Sequence, residues 1–339
     1  MYKLQLRSNL IRVSMNSLPI LLLIFVVGLA TLVKASDFFT DAAEKLGLAM
    51  GLPPFIVGVT IVSMGTSLPE LLSSLFGIFQ GASEVVASNV IGSNIANICL
   101  VVGTAAIIST KILRVMYNLI SVDLPLFVGS AFLFALMATS DQQFTRGESL
   151  LLLIGYIVYL FYILKSSDES AVNPDEETTV ASLAGEGFSV TQSLRELLVL
   201  VLSGIFIFLG ANYTIDSLIQ ISDQLNIGRD IIAISAVALG TSLPELMVTI
   251  NAALKGKAEL AVGNVIGSNI FNIFVVIGIP GLISPLPVAD NILSHSVPTL
   301  LAASLLMFFI VQDNKITIWE GWLFIMLYVW FMGTIFGLL

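Results

Sequence analysis

Residues 60–103 read "TIVSMGTSLPELLSSLFGIFQGASEVVASNVIGSNIANICLVVG", and residues 235–278 read "SAVALGTSLPELMVTINAALKGKAELAVGNVIGSNIFNIFVVIG". Aligned without a gap, roughly half of the positions are identical. The offset is constant, carrying Glu70 onto Glu245 and Ser93 onto Ser268. A repeat of this length marks one structural unit made twice, so the chain is two halves of a single design.

Composition says where the halves reside. Of 339 residues, 57% are hydrophobic and 11% charged, against about 25% charged in a soluble domain. Mean hydropathy is +0.99. These are the marks of an integral membrane protein. Apolar runs long enough to span a bilayer are predicted at about 17–35, 54–79, 85–109, 118–138, 147–165, 194–221, 229–255, 259–283, 292–311 and 317–337. They do not alternate apolar with polar residues, which excludes a β-barrel. Five spans per half force the two copies into opposite orientations, the inverted-repeat plan of many secondary transporters. The expected fold is all-α and integral to the membrane, with about ten transmembrane helices in two inverted five-helix repeats. Helices 2, 3, 7 and 8 are expected to be kinked or broken at the core.

The expected halves are 1–165 and 193–339, joined by an acidic linker over 166–192. Asp168, Glu169, Asp175, Glu176 and Glu177 cluster there among Ser, Thr, Pro and Gly, a composition that favours a solvated loop. They account for much of the net charge of −9, which therefore says little about partners. The opening "MYKLQLRSNLIR" reads as the lead into the first span rather than a cleaved signal peptide. Cys99, the only cysteine, falls within a span, and no intramolecular disulfide can form. His295 reads as a structural or surface residue, Lys34 and Asp37 as side chains reaching the interface, and Asp123 as interfacial with a minor claim on a site. Asp41 and its repeat partner Asp216 are expected at water-facing helix ends.

Basic residues set the orientation. Lys45, Lys111, Arg114, Lys165, Arg195, Lys255, Lys257 and Lys315 follow the odd-numbered spans, whereas Arg146 and Arg229 lie on the other side. This places both termini outside and the acidic linker in the cytoplasm of a multi-pass cell-membrane protein, although Lys3, Arg7 and Arg12 pull the other way.

The chemistry lies in polar stripes. Ser63, Thr66, Ser67 and Glu70 share one helical face, as do Ala238, Thr241, Ser242 and Glu245. The following helix of each half adds Asn89, Ser93 and Asn97, or Asn264, Ser268 and Asn272, spaced by four. Helices with one polar stripe turn it to each other or to a cavity. Pro69 and Pro244 have no N–H to offer the carbonyls of Gly65 and Gly240, so each motif frees a backbone oxygen beside its hydroxyls and carboxylate. Oxygen-only ligands suit Ca²⁺ and Na⁺ and disfavour zinc, copper and nickel. One Ca²⁺ or two Na⁺ would neutralise Glu70 and Glu245.

On "GTSLPEL" at 65–71 and 240–246, "GSNIANI" at 92–98 and "GSNIFNI" at 267–273, the chain resembles the calcium/cation antiporter superfamily, and in particular the compact prokaryotic sodium/calcium exchangers. The resemblance implies a central calcium site on Glu70 and Glu245 with carbonyls near Thr66 and Thr241. It also implies sodium sites from Ser67, Ser93, Ser242 and Ser268 with the carbonyls of Ser63 and Ala238, and a middle lined by Asn97 and Asn272. The chain departs from the pattern at Asn272, where such exchangers often carry aspartate, and at Ser63, where a smaller residue is usual.

The function expected is secondary-active exchange of Na⁺ for Ca²⁺ by alternating access, with calcium export as its direction. A cation/proton antiporter is the alternative, and a passive channel a weaker one. No enzyme chemistry is expected, since there is neither a nucleophile–base pair nor a phosphate-cradling loop. No cofactor is expected beyond the transported ions. The expected partners are membrane lipid, Ca²⁺ and Na⁺, with no nucleic acid and no obligate protein partner.

Overall fold

The computed structural model describes residues 18–79, 81–109, 112–117, 122–170, 190–225, 229–290 and 292–339, with the backbone alone at some helical positions, 229–241 among them. Among the described residues ten helices follow one another: α1 (Leu18–Ala49), α2 (Pro54–Phe79), α3 (Glu84–Ile108), α4 (Asp123–Asp141), α5 (Arg146–Ser170), α6 (Val190–Leu225), α7 (Arg229–Leu254), α8 (Ala258–Ile283), α9 (Ile292–Val311) and α10 (Ile318–Ile335). Among the described residues, all but α7 contain a stretch long and apolar enough to cross a membrane. Helix α5 runs on to Ser170 and α6 starts at Val190, so only 171–189 of the expected linker separate them; those residues, like the N-terminal 1–17, lie outside the described set.

The two halves interlock rather than sit side by side. Helix α2 packs on α8, and α3 on α7, so the second helix of each half lies against the third helix of the other. Glycines make the α2–α8 crossing close. A Cβ on Gly58 would meet the Leu260 carbonyl at 2.6 Å, and one on Gly263 would meet the Phe55 carbonyl at 2.6 Å. Small residues of this kind let backbones approach where lipid supplies no hydrophobic drive. Two short antiparallel ribbons repeat the exchange. Strand β1 (Leu113–Arg114), after α3, pairs with β4 (Lys315–Ile316), between α9 and α10; β2 (Gln143–Phe144), between α4 and α5, pairs with β3 (Leu286–Pro287), after α8. With the helices alternating in direction, the ribbons fall on opposite ends of the bundle, as inverted halves require.

Local signals are duplicated as well. Helix α2 ends at Gly81 and α7 at Gly256, both left-handed, with φ of 79° and 74°. Each is followed by the same backward hydrogen bond, Ala82 N to Gly77 O at 2.9 Å and Lys257 N to Ala252 O at 2.8 Å. That turn needs positive φ at its glycine.

Helices α1 and α6 form the outer face. Leu23, Val26, Phe38, Leu198 and Ile205 are at least half exposed there, an apolar surface of the kind that marks a membrane or protein contact. Helix α1 outruns its predicted span. Beyond residue 35 it turns amphipathic and is held by charge: Lys255 pairs with Asp37 and, at 2.9 Å, with Asp41, while Lys257 pairs with Asp41 and Glu44, both at 2.7 Å. Asp37, expected to reach the interface, is tied to the α7–α8 turn. Burial disfavours the Lys257 charge, but hydrogen bonds and attraction from Asp41 and Glu44 outweigh it and hold the ammonium above the ordinary lysine value. That stabilisation is present through neutral pH and lost only above the lysine range.

Asp123, the first residue of α4, is fully buried and accepts a hydrogen bond from Tyr159 of α5 at 3.1 Å. The partner lies on another helix, which a reading of α4 alone does not reveal. His295 is exposed and Cys99 is buried.

Candidate cation site

At the centre α2, α3 and α8 depart from regular helix. Helix α2 has a π turn over Gly58–Val62 and breaks at Ser67, whose φ of −89° and ψ of 2° leave the helical region. The chain then restarts at Leu68, setting Glu70 in the first turn of the new segment. Helices α3 and α8 widen into π turns over Ala96–Val102 and Asn272–Val276, and these turns hold Asn97 and Asn272. Such turns recur at functional sites. Helix α7 runs unbroken through Pro244; the ring still withholds a donor from the Gly240 carbonyl.

The four helices bury most of the expected oxygens, and hydrogen bonds tie several of them to one another. Glu70, Glu245, Ser63, Ser67, Asn97, Ser268 and Asn272 are all buried, as are Thr66, Ser93 and Ser242. Ser67 of α2 donates to Glu245 Oε1 of α7 at 3.1 Å, which binds the two motifs directly. Thr66 donates to Asn264 Oδ1 at 3.2 Å and lies 3.4 Å from Ser268 Oγ. Ser63 donates to the Val59 carbonyl. Ala238 and Thr241 lie on the α7 backbone; their side chains are outside the described set.

Buried polar groups are normally hydrogen-bonded. Among the described residues a few single atoms elsewhere, Asp123 Oδ2, Ser304 Oγ and Tyr328 OH, lack a partner, but at the centre such atoms gather. Among the described residues, neither oxygen of Glu70 has a partner, nor do Glu245 Oε2, Ser242 Oγ, Asn272 Oδ1 or either polar atom of Asn97. Carboxylates and amide oxygens left bare in a dry interior carry a cost of several kcal/mol. A cation bound among them removes that cost. Among the described residues no three His, Cys, Asp or Glu side chains converge. A cation here would therefore rest on two carboxylates supplemented by neutral oxygens, which fits Ca²⁺ or Na⁺.

An asparagine network that the stripes did not single out holds the centre. Asn94 Nδ2 donates to the Asn269 carbonyl at 3.1 Å, and its Oδ1 accepts from Asn272 Nδ2 at 3.0 Å. Asn94 and Asn269 are repeat partners in "GSN", so their duplication was the available signal. Another bond occurs in both halves: Asn89 donates to Ser74 at 3.3 Å, and Asn264 to Thr249 at 2.9 Å. Because the bond to Asn269 turns the Asn94 carbonyl oxygen toward position 272, that position must supply a donor. Asn272→Asp should set carboxylate against carbonyl at neutral pH and cost about 1–3 kcal/mol. Thermal unfolding in detergent should show the loss at neutral pH and recovery on acidification, as the carboxyl gains the proton it donates. A pH-independent effect would exclude this account.

The comparisons follow the geometry. The family model described as sodium/calcium exchanger protein matches residues 20–165 and 195–337. The sodium/calcium exchanger MaX1 of Methanosarcina acetivorans is 35% identical over 350 residues, covering 93% of this chain and 98% of that one. The inner membrane protein YrbG of Escherichia coli is 32% identical, covering 77% and 79%. A solved structure of the sodium–calcium exchanger NCX_Mj, soaked without Na⁺ or Ca²⁺, superposes with a TM-score of 0.79 at 30% identity, covering 94% of this chain and all of that one. With its interlocked halves and its paired "GTSLPEL" and "GSN" motifs, the chain belongs to the sodium/calcium exchanger family.

Proposed function

We propose that this protein exchanges Na⁺ for Ca²⁺ across the cell membrane by alternating access. The observation that carries the reading is the set of buried, unpartnered oxygens around Glu70 and Glu245. Glu70 and Glu245 hold Ca²⁺, helped by the backbone oxygens near Thr66 and Thr241. Ser67, Ser93, Ser242 and Ser268, with the carbonyls of Ser63 and Ala238, hold Na⁺, and Asn97 and Asn272 line the middle.

Two carboxylates in a dry cavity repel each other unless a cation compensates them. The bare site is therefore slow to cross the barrier, whereas the site filled with Ca²⁺ or with Na⁺ can move. Because the two ions share the carboxylates, each crosses when the other has left. Cells keep both ions low inside, so Na⁺ entry drives Ca²⁺ export. The halves 1–165 and 193–339 move about the central site. The acidic segment 166–192 joins them in the cytoplasm, with both termini outside.

Proteoliposomes loaded with Na⁺ and diluted into Na⁺-free buffer should accumulate Ca²⁺, and equal Na⁺ on both sides should stop it. Acid should weaken uptake, since protons compete for the same glutamates. Uptake indifferent to Na⁺ but driven by a pH gradient would assign the protein to proton-coupled antiport. Flux without any counter-ion would make it a channel.

A further inference from the structure

Lys34 is an anomaly on the outer face. It is exposed, and it makes no ion pair or hydrogen bond among the described residues. Its nearest acid along the helix, Asp37, is taken by Lys255. Residues 18–33 of α1 carry no charge. They rise about 24 Å, close to the hydrocarbon thickness of a bilayer, about 27–30 Å. Lys34 thus stands where the apolar run gives out, at the level of the headgroups.

Beside it lies a groove of about 630 Å³ between α1 and α6. Val27, Thr31, Lys34 and Phe38 form one wall, Leu202 and Phe206 the other. Val27, Phe38 and Phe206 are 55%, 59% and 50% exposed, so the groove opens toward lipid rather than into the core. Thr31 precedes Lys34 by one turn and puts a hydroxyl on the same face. Among the described residues no carboxylate lines the groove, so the amine of a zwitterionic headgroup would find no anion there. The repeat partner of Lys34 is Leu209, so the feature belongs to one leaflet only, on the side of Lys255 and Lys257.

We infer that this groove binds one anionic phospholipid, with its phosphate on Lys34 and the Thr31 hydroxyl and an acyl chain along the α1–α6 seam. The site is separate from the cation site and does not depend on the transport reading.

Native mass spectrometry of the full chain, released from detergent with equal phosphatidylglycerol and phosphatidylcholine, tests it. Wild type should retain one phosphatidylglycerol in preference to phosphatidylcholine by about fivefold, the worth of one basic residue at a charged lipid surface. Lys34→Gln should erase the preference and Lys34→Arg keep it. If Lys34→Gln does not survive purification, Leu202→Trp, which fills the groove with Lys34 in place, should reduce retention of both lipids alike. A preference that persists in Lys34→Gln, one absent from wild type, or full retention in Leu202→Trp would each overturn the proposal.

Discussion

Glu70→Gln is expected to abolish Na⁺-driven Ca²⁺ uptake while leaving the protein folded. Both Glu70 oxygens are buried and free of hydrogen-bond partners among the described residues, so they contribute nothing to folding that glutamine would remove. The amide keeps the shape and loses the charge. A bound cation that loses one of two carboxylates in a dry site should lose about 3 kcal/mol or more, on the order of a hundredfold in apparent Ca²⁺ affinity. Glu245→Gln should behave similarly toward Ca²⁺. It differs in one respect: Glu245 already accepts from Ser67 at 3.1 Å, a bond that glutamine's carbonyl can keep. Uptake into proteoliposomes over a wide Ca²⁺ range, read beside thermal unfolding in detergent, separates affinity from folding. Unchanged uptake in Glu70→Gln would remove this residue from the site.

The second large effect is on stability. Gly263→Ala places a methyl 2.6 Å from the Phe55 carbonyl and 3.2 Å from Gly58 Cα and Val59 N, all of them backbone atoms. No side chain can swing away, so α2 and α8 must part. Overpacking of this kind costs about 1–3 kcal/mol, and backbone contacts put this site at the upper end. The separation would also stretch the bond between Thr66 and Asn264, 3.2 Å long, so exchange should fall together with the melting temperature. Gly155→Ala is the matched control, because its methyl would touch the Phe274 ring at an ordinary 3.5 Å. Equal melting temperatures for the two variants would show that the crossing yields more easily than its geometry indicates.

How much of this was legible beforehand follows from the range of each interaction. The ten spans, the doubled halves and the four polar stripes depend on local pattern, and local pattern is written directly in the chain. Gly81 and Gly256 could be read as helix ends for the same reason. The π turns around Asn97 and Asn272 could not, because an α-helix widens only when its neighbours favour it. The burial of Asp123 depends on Tyr159, which lies on the next helix, and the ties of Asp37, Asp41 and Glu44 depend on lysines more than two hundred residues away. The Asn94–Asn272 contact was hidden differently. Its residues are visible in "GSN" and "FNI", but their partnership exists only once two inverted copies are crossed.

The ionic ties at the end of α1 join the first half to the second, and the lysines that make them have no basic repeat partner. The repeat partners of Lys255 and Lys257 are Gln80 and Ala82, and those of Asp37, Asp41 and Glu44 are Asn212, Asp216 and Ile219. Any movement that carried the α7–α8 turn away from α1 would have to separate five charges and leave three carboxylates facing one another. The repeat-related positions offer no ammonium to offset that separation, so the duplicated motifs at the centre sit in a housing that is not itself duplicated.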